Sequence, residues 1–285
     1  MRSTRRQLFA TIAAAALAAQ GKNTVTQYIR YRHNSTSSYG ILESETVHEI
    51  RGELFGDHQK TGKTYRLADV KLLYPCEPPK ILAVGLNYKS HIGDRKAPER
   101  PEIFYKPVTA LQHPGDDIII PASAKNVHYE GEMVLVVGKR VRRASTEEAR
   151  AAIFGVTCGN DVSERDWQGG PDKDLQWWRA KGSDTFGPLG PVIVRGLDYG
   201  NLLLQTRLNG NVVQHDTTDH MIFDVATIIE YLSTVTWLEP GDVIATGTPD
   251  GVDLGRKPPL WMKGGDKVEV EISSIGTLSV NVVDE

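Results

Sequence analysis

The chain has 285 residues, only two of them cysteines, and a formal net charge of −3. That length accommodates one large domain and a small one. With no run of Lys or Arg beyond the N-terminus, a nucleic-acid partner has no electrostatic footing, and Cys76 and Cys158 are too few and too far apart for a disulfide framework, so they read as buried thiols.

At the N-terminus, Arg2, Arg5 and Arg6 precede the apolar run Phe9 to Ala19, which is too short to span a bilayer. Thr4-Arg5-Arg6-Gln7-Leu8-Phe9 is similar to a twin-arginine export signal, and Ala16-Leu17-Ala18 supplies small residues at cleavage-site spacing. A signal peptide over residues 1–20 and a periplasmic or otherwise exported product are therefore expected. The alternative is a frayed leader helix, or a start codon placed too far upstream, on a cytoplasmic protein. No later stretch is apolar enough for a membrane helix, so no membrane partner is expected.

From Thr26 to about Cys76, short β-like runs alternate with turns: Tyr28 to Tyr31, Tyr39 to Leu42 and Thr46 to Ile50. Pro75, Pro78 and Pro79 then mark a linker. This divides the chain into a small N-terminal β domain, residues 24–78, and a main domain, residues 79–285. In the main domain Ile81 to Val84, Met133 to Val137 and Val243 to Thr246 are short apolar runs typical of buried strands. Ser145 with Glu148 forms a capping box for a helix that Gly155 would stop. Asn209-Gly210 is the preferred pair for a type I′ hairpin between Leu202–Leu208 and Val212–His215. A second hairpin joins Val268–Ile272 to Thr277–Val283 across Ser273 to Gly276, and between the two hairpins Asp224 caps a helix from Val225 to about Val235. The fold class is α+β, mostly β.

His128-Tyr-Glu-Gly-Glu132 leads into the Met133 strand. In extended chain, residues i and i+2 share a face with Cα atoms about 6.6 Å apart, so Glu130 and Glu132 project two carboxylates into one space. Alone, this pair also fits a solvated edge strand. Asp161, at the end of the apolar run Phe154 to Asp161, adds a third carboxylate. Three acids with no neighbouring cysteine suit a hard cation, Mg²⁺ or Mn²⁺, rather than zinc.

These motifs, read in order, resemble the fumarylacetoacetate hydrolase family: Val84 to His91, Phe104 to Pro107, His128 to Glu132, Gly159 to Gln168, Ala180-Lys181 and Thr246 to Val252. The resemblance implies a mixed β-sandwich or roll, a homodimer, and a small-molecule 2-oxo acid substrate held on a divalent metal by Glu130, Glu132 and Asp161. It implies Lewis-acid catalysis through an enolate, with hydrolysis of a C–C bond in an acylpyruvate-like substrate. Isomerisation, decarboxylation or hydration of 2-hydroxymuconate-type dioates is the alternative, as is a metal- or oxo-acid-binding protein without activity. His91 and Asp94 match the family's water-activating His-x-x-Glu pair, with an acid one methylene shorter here. They sit beside a polar segment, Gly93 to Pro101, of the kind that closes over a site. Lys106 and Lys181 are implied to hold a substrate carboxylate or the enolate. Arg165 and Gln168 follow Asp161 at helical spacing and are expected to brace it or touch substrate. Thr248 offers a hydroxyl and an N–H in a tight Gly-Thr-Pro turn, and Trp177 and Trp178 read as core or dimer contacts.

Overall fold

A computed structural model describes residues 25–252 and 258–285; the expected signal peptide lies outside them. Among the described residues, no helix is long and apolar enough to cross a membrane.

The fold is mostly β, built on two mixed sheets. The path through the larger runs His58–Arg66, Thr46–Gly52, Thr36–Glu43, Thr26–His33, Gly187–Arg195, Ile153–Asn160, Gly131–Val137, Val243–Ala245, Ile81–Gly85 and Glu102–Lys106. The smaller runs Asn211–Thr217, Leu203–Leu208, Lys267–Ile272, Gly276–Asp284 and Asp117–Ile120. The N-terminal segment is thus continuous with the main sheet: Thr26 to Tyr28 pair antiparallel with Arg195 to Ile193.

Strand Gly131–Val137 is buried along its whole length, and its side chains divide by parity. Met133, Leu135 and Val137 join Leu204, Val268, Val270 and Leu278 of the small sheet in one core. Val134 and Val136 join Ile81, Ala83, Ile193 and Val243 in a second core on the opposite face. Glu130 and Glu132 share the parity of Val134, so they point away from the small sheet. Gly131 points toward it, and a Cβ there would lie 2.1 Å from Thr206 Oγ1. Gly131→Ala is accordingly expected to cost about 1–3 kcal/mol through overpacking, measurable as a lowered midpoint in urea unfolding.

Both hairpins form in the expected register. Leu208 pairs with Asn211 around Asn209-Gly210, both at positive φ, and Ile272 pairs with Gly276. The capping box on Ser145 and Glu148 forms, but its helix ends at Ala152 rather than Gly155. Ile153–Asn160 is instead a strand between Gly131–Val137 and Gly187–Arg195. Gly155 serves that strand by admitting a close neighbour, since a Cβ there would sit 2.5 Å from Val194 O. Helix Val225–Ser233, capped by Asp224, packs Ile228, Ile229 and Leu232 into the first core.

Candidate active site

Glu130 and Glu132 enter just before and at the start of strand Gly131–Val137, and Asp161 directly follows strand Ile153–Asn160, whose Asn160 pairs with Gly131. Adjacent strand ends therefore bring all three acids together, and the backbone locks the junction. Asp161 N–H donates to Glu130 O at 2.8 Å, and Glu130 N–H donates to Asn160 Oδ1 at 2.9 Å. One oxygen from each carboxylate lies within 4.8 Å of the others, and all three residues are buried.

Three buried negative charges need compensation. Lys181 Nζ donates to Glu130 Oε2 and Asp161 Oδ2, each at 2.6 Å. Lys106 Nζ donates to Asp161 Oδ1 at 2.6 Å, and Arg165 pairs with Glu130. Burial pushes Glu130 up, but Lys181 and Arg165 outweigh it and hold the carboxyl well below its usual range. Glu132 lacks such help. Among the described residues it is in no ion pair, and its Oε2 accepts only Gly247 N–H, at 2.7 Å. Burial, with Asp161 and Glu130 beside it, drives its carboxyl well above the usual range. An all-oxygen set that leaves one member short of positive charge fits Mg²⁺ or Mn²⁺.

The acids open onto a cavity of about 570 Å³ lined also by His91, Arg95, Phe104, Arg165, Gln168, Trp177, Lys181, Thr248 and Trp261. His91 is half-buried, its enclosed Nδ1 without a partner among the described residues, and burial lowers its pKa, which favours the neutral imidazole a base requires. Burial likewise holds His128 far below its usual value; fully enclosed, it packs edge-on against Trp261 with centroids 5.9 Å apart.

Several expected placements change. Lys106 does not line the cavity; it reaches Asp161 from behind, where burial lowers its pKa despite that partner. Asp94 is exposed and outside the cavity, with no hydrogen bond to His91 Nδ1. Arg165 opens the short helix Arg165–Gly169 and braces Glu130 rather than Asp161, with Gln168 as its second partner. The Thr248 hydroxyl is already committed, donating to Gly131 O at 2.9 Å and accepting from Gln214 Nε2 at 2.8 Å. Trp177 is a cavity wall set against Phe104, with centroids 5.4 Å apart, whereas Trp178 is exposed. The sequence reading missed Arg95, Trp261 and Asn160. Only Asn160 carried a signal, as the residue beside Asp161.

Residues 80–283 match the family described as fumarylacetoacetate (FAA) hydrolase C-terminal, and residues 26–75 match the one described as Rv2993c-like, N-terminal. Protein Rv2993c of Mycobacterium tuberculosis is 44% identical over 243 residues, 84% of this chain and 88% of the relative. Oxaloacetate tautomerase FAHD2A, mitochondrial, of Bos taurus is 40% identical over 222 residues, 76% of this chain and 70% of the relative. The crystal structure of 2-hydroxyhepta-2,4-diene-1,7-dioate isomerase from Mycobacterium marinum superposes with a TM-score of 0.82 at 40% identity, covering 91% of this chain and 99% of that one.

Proposed function

Because the chain belongs to the fumarylacetoacetate hydrolase family, we propose that it is a divalent-cation-dependent enzyme that moves a proton on a small 2-oxo acid, interconverting keto and enol or double-bond isomers. The observation that carries this reading is His91 lining the same cavity as three clustered carboxylates, its enclosed Nδ1 without a hydrogen-bond partner among the described residues, while Asp94 stands outside. Proton transfer needs one positioned base. Water activation by a His–acid dyad needs Asp94 as well.

A divalent cation held by Glu130, Glu132 and Asp161 would supply positive charge toward the oxygens of the 2-oxo acid. Without it, the three carboxylates face three cations, Lys106, Lys181 and Arg165; with it, the site is net positive and draws an anionic substrate. The residues then divide the work. Lys181, bonded to Glu130 and Asp161, places its ammonium where enolate charge develops. His91 accepts the proton from the carbon next to the keto group, and the electron pair of that C–H bond moves toward oxygen. The imidazolium returns the proton to oxygen, giving the enol, or to a distal carbon, giving the shifted double bond. Phe104, Trp177 and Trp261 exclude water from the intermediate.

The resemblance of this chain to a tautomerase and an isomerase supports this reading. Hydrolysis is the second reading, supported by Asp94 lying three residues from His91 in an exposed segment. A panel of oxaloacetate, an acylpyruvate and a 2-hydroxymuconate-type dioate, run with Mg²⁺ and with chelator, separates them. Expected are metal-dependent loss of enol absorbance and solvent deuterium entering the product, with no cleavage. Cleavage of the acylpyruvate with release of pyruvate would make hydrolysis the activity.

A further inference from the structure

His91 lies in the short helical turn Lys89–Ile92, and Gly93 follows at φ 55°, ψ −130°, a conformation suited to glycine. The turn is held to the domain by the residues that precede Gly93. Before it, Asn87 is tied by its side chain to Thr246 O at 2.7 Å, Phe223 O at 3.1 Å and Phe223 N at 2.8 Å. Tyr88, fully enclosed, bridges to Met221, and Ile92 is buried. Ser90 is the last tether: its hydroxyl donates to Asp216 Oδ2 at 2.6 Å and accepts Asp250 N–H at 3.2 Å. Asp216 is itself fixed. Its Oδ1 takes Thr217 N–H at 2.8 Å and His220 Nδ1 at 2.5 Å, and its side chain is only 9% exposed. After Gly93, residues 94–97 are all exposed, and Arg95 bonds back to the turn, its N–H and Nε donating to Ile92 O at 3.2 and 3.0 Å and its guanidinium to His91 O at 2.9 Å.

We propose that Asp216 is a positioning residue which, through Ser90, clamps the turn carrying His91 onto the domain. Asp216 does not line the cavity, so it acts through the turn it holds. The inference rests on the reading of His91 as the site's base, but the clamp itself can be tested without it.

The test uses the full chain. Amide hydrogen exchange reads Ile92 N–H, which donates to Tyr88 O at 3.1 Å, and Gly93 N–H, which donates to Lys89 O at 3.2 Å. In the wild type both should be protected. Ser90→Ala and Asp216→Ala should each speed exchange at Ile92 and Gly93 by roughly tenfold, the scale of one hydrogen bond to a charged group. Each should lower kcat by about as much while KM stays within about twofold, because a displaced base slows the proton step and leaves binding alone. The reciprocal pair Ser90→Asp with Asp216→Ser, which rebuilds the bond with donor and acceptor exchanged, should restore both readouts. Unchanged exchange in both single variants would overturn the clamp. A wild type that turns over no 2-oxo acid would remove the proposed function, and the clamp would then stand or fall on exchange alone.

Discussion

Glu132→Gln is expected to weaken Mg²⁺ and Mn²⁺ binding by at least about 10²-fold, since loss of groups that merely support ligands already costs 10–100-fold. The fold should not suffer. Gln keeps an acceptor for Gly247 N–H and removes a buried carboxylate that no cation pairs with. Thermal stability in chelator should thus equal or exceed that of the wild type. Asp161→Ala is the weaker test. Among the described residues Lys106 has no other carboxylate partner, whereas Lys181 keeps Glu130, so removal of Asp161 strands one buried ammonium at about 3–5 kcal/mol and unfolding would imitate metal loss. Calorimetric titration of Glu132→Gln with the metal is decisive. Wild-type affinity in a well-folded variant would remove Glu132 from the ligand set.

His91→Ala should lose about 10²–10⁴ in kcat, the range contributed by a positioned base, with cation affinity intact. Its companion, Asp94→Ala, distinguishes the two reactions. For proton transfer alone Asp94 is dispensable, and its removal should change kcat less than about threefold, well short of the contribution of a positioned acid or base. If water must be activated, Asp94→Ala should fall nearly as far as His91→Ala, because members of a catalytic unit are not additive. Restoring the longer acid with Asp94→Glu should then hold or raise the rate. Steady-state kinetics on one substrate, across the three variants, reads all of this.

How much of this was legible beforehand follows the range of the interactions. Asn209-Gly210, the Ser145–Glu148 box and the Asp224 cap are local signals, and each formed. The shared face of Glu130 and Glu132 follows from strand parity alone. Arg165 was misdirected because helical spacing tied it to Asp161, whereas its partner Glu130 lies 35 positions away and is brought near by strand pairing. The pairing of Lys106 with Asp161 was hidden for a related reason: which side of Asp161 it approaches is set by the order of strands, which no local pattern encodes. Gly155 resembles a helix stop until the neighbouring strand is known; then it is the residue that lets Val194 O approach.

The pairing of Thr26–Tyr28 with Ile193–Arg195 has a consequence for assembly of the chain. Ends of a strand pair nearly 170 positions apart must meet before the sheet is continuous, and contacts so distant in sequence slow folding. Until they meet, strand Gly187–Arg195 is an open edge, with bare N–H and C=O groups beside the strand that leads into Asp161. Such an edge accepts any extended chain. The first four strands therefore act as a built-in shield against intermolecular β-pairing, and a form lacking them should aggregate through the flank of its own catalytic sheet.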